Sequence, residues 1–423
     1  MIVVGSVVGL GLALATRSGD PRVTTPQPGP PLQDVPTTAL TRPAATGAER
    51  WAPMAASPLS GRANAPTAWT GKELIVFRGD GAFSDAGGGE PGRVDGAAYD
   101  PASNRWRKLA TPPFDARPPI FGAGYASAWT GKELVVWGGP EPKAAAYDPV
   151  TDRWRELDAG PLEARVDVAS AWTGEELVIY GGITHAAALT NEDEEDGKDD
   201  VPVDSGAAYD PVTGLWRRLP HSGAGRVGAK AVWDGTDVLI VGGGSGSAGT
   251  NTNGRHVLAW DPARNRWRTL ASAPLREATS AVWTKSRVVA AGYGHDMTSL
   301  RTFDPATNRW TVAPKPPELP PGFRGKPELL GWSYPDLVWS GREVLVFWSG
   351  ITDPEDPQPL PGLAFDPSAG TWRRLPASGL VRRNGISSAW TGTELLLWGG
   401  AANTGFTSTP YADGARYRPG AGR

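Results

Sequence analysis

Residues 126–139 read Ala126-Ser127-Ala128-Trp129-Thr130-Gly131-Lys132-Glu133-Leu134-Val135-Val136-Trp137-Gly138-Gly139, a strand, a tight turn and a second strand. The Thr-Gly pair supplies the turn, because glycine accepts the positive φ that a two-residue hairpin loop needs. The phrase returns around Trp69-Thr70-Gly71, Trp172-Thr173-Gly174, Trp233-Asp234-Gly235, Trp339-Ser340-Gly341 and Trp390-Thr391-Gly392, and in degenerate form at Trp283-Thr284-Lys285. A second phrase alternates with it. Tyr99-Asp100-Pro101 is followed by Trp106, Tyr147-Asp148-Pro149 by Trp154, and Tyr209-Asp210-Pro211 by Trp216. Trp260-Asp261-Pro262 then Trp267, Phe303-Asp304-Pro305 then Trp310, and Phe365-Asp366-Pro367 then Trp372 continue the series. Asp and Trp stand six residues apart in every copy, while the intervening loops drift in length. A fixed spacing beside drifting ones marks a rigid structural unit, so the chain is a repeat protein.

Each full unit predicts four strands, a to d. Strand a ends at the first Trp and strand b is the apolar run after the turn. Strand c carries the aromatic-Asp-Pro, where proline ends the ladder for want of an N–H. Strand d starts at the second Trp. Four short strands per roughly 50 residues describe a propeller blade. The first Trp row has seven members, but the second has six after the first blade begins: Trp106, Trp154, Trp216, Trp267, Trp310 and Trp372. The missing one is at the other end of the chain, in Arg50-Trp51-Ala52-Pro53-Met54, which has no a, b or c before it. Ala415-Arg416-Tyr417-Arg418-Pro419 is conversely a strand c with no d after it. The expectation is an all-β, seven-bladed propeller whose last blade is closed by the N-terminal strand d around Trp51, joined to C-terminal strands a to c. Closure within one blade removes an unpaired sheet edge.

The diglycine after strand b, the aromatic-Asp-Pro and the spaced Trp resemble the Kelch-repeat family of β-propellers, among them the propeller of galactose-oxidase-like proteins. Arg78-Gly79, Ala291-Gly292 and Trp348-Ser349-Gly350 depart from the diglycine in blades 1, 5 and 6. Within that family the resemblance implies three activities. The copper radical oxidase needs a Tyr cross-linked to a Cys, and this chain has no cysteine. The others are a cofactor-free sugar isomerase or mutarotase, and a binding module for a protein or cell-surface glycan.

Composition bounds the rest. At 423 residues and 39% apolar content, the chain can bury a large core, and 55 glycines with 41 prolines suit many strands joined by turns. A net charge of −3 supplies no general field for nucleic acid, so no nucleic-acid partner is expected. Zero cysteines exclude disulfides and thiolate metal sites. Residues 1–18 read as a signal peptide or N-terminal membrane anchor around the apolar run Ile2 to Ala15, residues 19–48 as a Pro/Thr/Ala-rich linker, and residues 49–423 as the propeller. An extracellular or cell-envelope location follows, secreted or anchored, with the N-terminal segment contacting or spanning the membrane and the propeller a monomer.

Fourteen of the 19 tryptophans fall in the two rows, and recurrence in every blade reads as core packing rather than a sugar-stacking platform. A repeated carboxylate (Glu73, Glu133, Glu176, Asp237, Glu343, Glu394) and an Arg before the second Trp (Arg50, Arg105, Arg153, Arg266, Arg309) are expected to pair within each blade. The a–b and c–d turns share one face and are short. The b–c and d–a connections share the other and hold all the length variation, including 80–95, 183–205, 243–255, 315–334 and 350–361. Variable loops on a rigid scaffold are where binding concentrates. Arg62, Arg165, Arg226, Arg276 and Arg383, each seven residues before a strand-a Trp, fall on that face. So do His185, His221, His256 and His295. These nine are the candidate ligand-binding residues. Two readings of the arginines stay open, a ring for an anionic ligand or buttresses bonded to backbone carbonyls. The histidines show no local ligand spacing, so no metal is assigned, and the acidic run 191–200 reads as a solvated loop. No nucleophile–base set, phosphate loop or cofactor motif is visible. The expected function is an exported, non-catalytic binding module for a protein or glycan, with the sugar isomerase as the alternative.

Overall fold

The structure is a computed structural model that describes residues 48–84, 92–113, 125–139, 142–184, 202–244, 256–275, 277–293, 300–317, 335–348, 357–403 and 407–420. Seven four-stranded antiparallel sheets form the blades of a propeller, and no helix occurs among the described residues. Blade 1 consists of Thr67–Trp69, Leu74–Phe77, Gly96–Asp100 and Arg105–Lys108, paired in that order. Blades 2 to 6 repeat the arrangement. Their first strands, Tyr125–Trp129, Ala169–Trp172, Lys230–Trp233, Glu277–Trp283 and Pro335–Trp339, are innermost, each packed against the first strand of the next blade.

Blade 7 joins the two ends of the chain. Ser387–Trp390, Leu395–Trp398 and Gly414–Arg418 supply its strands a to c, and Arg50–Pro53 pairs with the last of these as strand d. The register aligns Leu395, Tyr417 and Trp51, as it aligns Leu74, Tyr99 and Trp106 in blade 1. The closing strand therefore occupies the same place as its covalently continuous counterparts. A further three-stranded sheet of Ala401–Asn403, Thr407–Pro410 and Phe83–Ser84 ties blade 7 to blade 1 a second time, between their b–c connections.

The six-residue spacing has a physical origin. The Asp of each aromatic-Asp-Pro turns back to accept a backbone N–H two residues on, as Asp100 does from Ala102 and Asp148 from Val150, both at 2.8 Å. The turn ends on a left-handed residue, such as Asn104, Asp152, Gly214 or Asn308. In blades 1 and 2 that side chain accepts a bond from the strand-c tyrosine (Tyr99 to Asn104 at 2.5 Å, Tyr147 to Asp152 at 2.6 Å). An insertion or deletion here would break both contacts.

Every described side chain of strand b is buried in each blade, and each apolar cluster is shared by two adjacent blades. The second Trp row does more than pack. Each indole N–H donates to a backbone carbonyl at or just beyond the end of strand d of the preceding blade: Trp106 to Ala55, Trp154 to Ala110, Trp216 to Asp158, Trp267 to Pro220, Trp310 to Ala271 and Trp372 to Pro314. Trp51 to Pro376 at 2.9 Å completes the circle. Seven latches thus run around the ring, one of them across the seam.

The repeated carboxylates pair with a different arginine from the one expected. In five blades the partner follows the second Trp instead of preceding it: Arg107 with Glu73, Arg155 with Glu133, Arg217 with Glu176, Arg268 with Asp237 and Arg373 with Glu343. Glu394 of blade 7 pairs instead with Arg416 and Arg418 of strand c. Arg107 stands beside Ala98 of strand c, a small residue that lets the guanidinium reach strand b. The pair lies within one blade, but the same arginine also reaches the next, from Arg107 to Tyr147 and from Arg373 to Tyr417. Blade 5 has Arg287 and Thr311 at the two positions, and there Thr311 bonds Thr302 instead.

Candidate functional site

The short a–b and c–d turns lie on one face, and the long b–c and d–a connections on the other. On the long-loop face the four described arginines of the expected ring are buried, each at most 3% exposed. Arg165 shows the common geometry. Its Nε donates to Glu163 O (3.2 Å), two residues back in the same loop, and its Nη1 to Gly181 O (3.2 Å), at the end of strand b. The same nitrogen also reaches Ser205 O (3.3 Å), just before strand c. Arg62 repeats this with Ser60, Arg78 and Asp95, and Arg383 with Val381 and Gly399. Arg226 is the loose member, with only long bonds to Gly225 O (3.3 Å) and His256 O (3.4 Å) and no partner for Nε. The Arg62, Arg165 and Arg383 guanidinium groups therefore fasten together a d–a loop and the two ends of a b–c loop, whereas Arg226 reaches only its own loop and the start of strand c. Burial pushes the Arg62, Arg165 and Arg226 guanidinium groups below their usual range.

Two of the four also hold a carboxylate. Arg62 pairs with Asp95 at 2.8 Å, and Arg383 with Asp413 at 2.5 Å while stacking over Tyr411 at 4.1 Å. Arg276, His185 and His295 lie outside the described residues. His221 and His256 do not converge. His221 Nδ1 is 2.7 Å from Asp204 Oδ1, whereas His256 Nδ1 faces Ser272 Oγ (3.0 Å) and Leu270 O (3.3 Å). Burial would raise the Asp204 carboxyl, but bonds from His221 and the Gly223 N–H outweigh it and hold the group below the usual carboxylate range.

A different set of residues does come together, at the loop-face end of the innermost strands. Asp167 precedes strand a of blade 3, Lys230 opens strand a of blade 4, and Asp336 is in strand a of blade 6. Lys230 lies within electrostatic reach of both carboxylates. Blades 4 and 6 are not neighbours, so Lys230 and Asp336 meet across the central opening. The inner strand of blade 5 between them has Ser280 at the equivalent position, three residues before its Trp. Protein surrounds the three groups, and all three retain some water contact. Burial raises Asp336 to about 7 against the attraction of Lys230, and raises Asp167. Burial also lowers the Lys230 ammonium, which the two carboxylates partly oppose. On the same rim, Asp80 accepts from Asn64 Nδ2 at 2.8 Å and is raised by burial to about 6.

A rim of backbone contacts fixes these groups. Asn64, Asp167, Gly228 and Gly385 occupy equivalent positions and are all left-handed (φ 51, 54, 65 and 64). Asn64 N donates to Gly385 O and Gly228 N to Asp167 O, both at 2.9 Å, linking adjacent blades around the opening. No group of three or more His, Cys, Asp or Glu able to hold a metal occurs among the described residues.

The channel cluster was not among the expected site residues, although a signal existed. Three residues before the strand-a Trp, the other blades have Pro66, Ala126, Ala169, Ser280 and Ser387. Lys230 and Asp336 are the two charges at a position otherwise small or apolar.

No protein-family model matches the sequence, and neither does any curated protein. The β-propeller stands on the seven sheets themselves.

Proposed function

We propose that this protein is a binding propeller of the Kelch type, which takes a protein or glycan ligand on the long-loop face around the mouth of its central opening. One observation carries the reading. The arginine clamps pin the bases of the long loops to strands b and c, so that face is a set of variable connections on a rigid base, while the opposite face has only tight turns. In this reading the arginines position the loops that touch the ligand, and the anionic character of a ligand is left to Arg276 and the loop histidines His185, His221, His256 and His295. Export belongs to the same proposal, with the N-terminal segment acting as a cleaved signal peptide or as an anchor, since a ligand at the cell surface requires export.

The test is a glycan array together with a pull-down from cell-surface extract, using protein immobilised through its N-terminus so that the loop face stays open. A saturable ligand should be lost when the 243–255 connection is replaced by a short turn and kept when Lys72 and Lys132 on the opposite face are changed to Gln. Binding that survives the first change and fails after the second would place the ligand on the wrong face and refute the reading.

The alternative, a cofactor-free sugar isomerase or mutarotase, draws on Asp336. A carboxyl raised to about 7 exchanges protons readily near neutral pH. Saturation-transfer NMR of sugar anomers with and without the protein would detect it as accelerated interconversion.

A further inference from the structure

We propose that the central opening, between Asp167, Lys230 and Asp336, is a subsite for a neutral, hydroxyl-rich ligand end, the terminal sugar of a glycan. This rests on the long-loop face being the binding face and specifies what enters its centre.

The first ground is placement. The three side chains come from blades 3, 4 and 6, and two of those blades are separated by a third, which has Ser280 at the position of Lys230 and Asp336. Groups so arranged converge only on the axis, at the end of the opening that the long loops surround. The second ground is what they lack. Among the described residues, none of the three side chains has a hydrogen-bond or ion-pair partner, and Asp336 Oδ2 is shut off from solvent without one. Arg165 and Arg383, by contrast, satisfy their buried charge by direct contact. An enclosed carboxylate and ammonium that attract one another without touching leave a polar gap, and an unbridged gap of that kind is costly.

The chemistry of the gap selects its occupant. A bridging group must donate to Asp336 and Asp167 and accept from the Lys230 ammonium. A hydroxyl does both, whereas an ammonium only donates and a carboxylate only accepts. Two adjacent hydroxyls on one ring reach Lys230 and a carboxylate together. An anionic ligand would face two carboxylates, and a cationic one would face the lysine. A neutral sugar meets neither opposition.

Binding can be read by saturation-transfer NMR and calorimetry with glucose, galactose, mannose and N-acetylglucosamine as probes. Glucosamine serves as the cationic comparison and glucuronate as the anionic one. The wild-type chain should bind at least one neutral probe saturably and more tightly than either charged probe. Asp336→Asn and Lys230→Met should each weaken that binding at least tenfold. Asp336→Asn removes a buried charge and should fold at least as well as wild type, so its loss of binding cannot be unfolding. Equal binding by wild type and both variants would put the sugar elsewhere on the loop face, overturning this subsite while leaving the binding module intact. Preference for glucosamine or glucuronate would overturn the neutral-ligand assignment. If no probe binds although array or pull-down yields a ligand, the cluster holds only water and the subsite is refuted. Failure of array, pull-down and probes together would take the binding reading down with it.

Discussion

Arg165→Ala separates a loop clamp from a ligand contact. The change removes bonds from the guanidinium to Glu163 O, Gly181 O, Ser205 O and Ser205 Oγ, all between 3.2 and 3.3 Å. Three carbonyls lose their donor in a place where the arginine was 3% exposed. An orphaned buried acceptor costs about 1–3 kcal/mol, and water entering the vacated volume recovers part of it. The net loss should be about 2–4 kcal/mol. Arg226→Ala removes two bonds of 3.3 and 3.4 Å from a guanidinium whose Nε has no partner, so it should cost only about 1–2 kcal/mol. Urea denaturation followed by tryptophan fluorescence measures both, and hydrogen exchange at 206–210 reports whether strand c loosens locally. The order Arg165 above Arg226 is the structural claim. A midpoint unchanged by Arg165→Ala, together with a loss of ligand affinity, would refute the clamp and return the guanidinium to the ligand.

Three further expectations follow from other parts of the ring. Trp51→Phe keeps an aromatic ring against Tyr417 and loses the indole bond to Pro376, so it should cost about 1 kcal/mol, whereas Trp51→Ala should cost about 3 kcal/mol and raise proteolysis at the seam. Equal losses in denaturant would show that packing at the seam contributes nothing. Gly160 has φ +76 and sits under Trp216, where an added Cβ would come within 2.6 Å of the indole, so Gly160→Ala should destabilise by about 1–3 kcal/mol and alter the tryptophan emission. Asp336 has a folded-state pKa above its unfolded value, so its ionisation opposes folding progressively as pH rises from about 4 to about 7, and in full above that. Asp336→Asn should therefore raise the melting temperature at pH 8 by more than at pH 4. A gain independent of pH would show that Asp336 titrates normally.

The fold was legible because its marks are local. The Asp that seats its own turn, the left-handed residue four positions on and the Trp that latches the preceding blade all fall within one short stretch, repeated. Even closure through Trp51 could be read by counting the rows. The arginine partners were misread because Arg105 and Arg107 point to the same side of one strand, and only the small Ala98 on the intervening strand decides which of them reaches Glu73. The channel cluster was harder still. Asp167, Lys230 and Asp336 are far apart in sequence and on three different blades, two of them not neighbours, so no spacing rule connects them. The arginines were visible as a row, but whether a guanidinium points out to a ligand or down to a carbonyl depends on the loop beneath it.

The closing strand also has a mechanical consequence. Arg50–Pro53 starts at the short-turn face, where Arg50 stands opposite Arg418, and runs toward the loop face. If the segment before it anchors the protein, a ligand pulling on the loop face loads this strand along its own axis. The four residue pairs with Gly414–Arg418, the Trp51 latch and the Glu49 contact with Arg373 then resist together, in shear, instead of parting one at a time as in a zipper. The seam that looks weakest in covalent terms is oriented to bear tension.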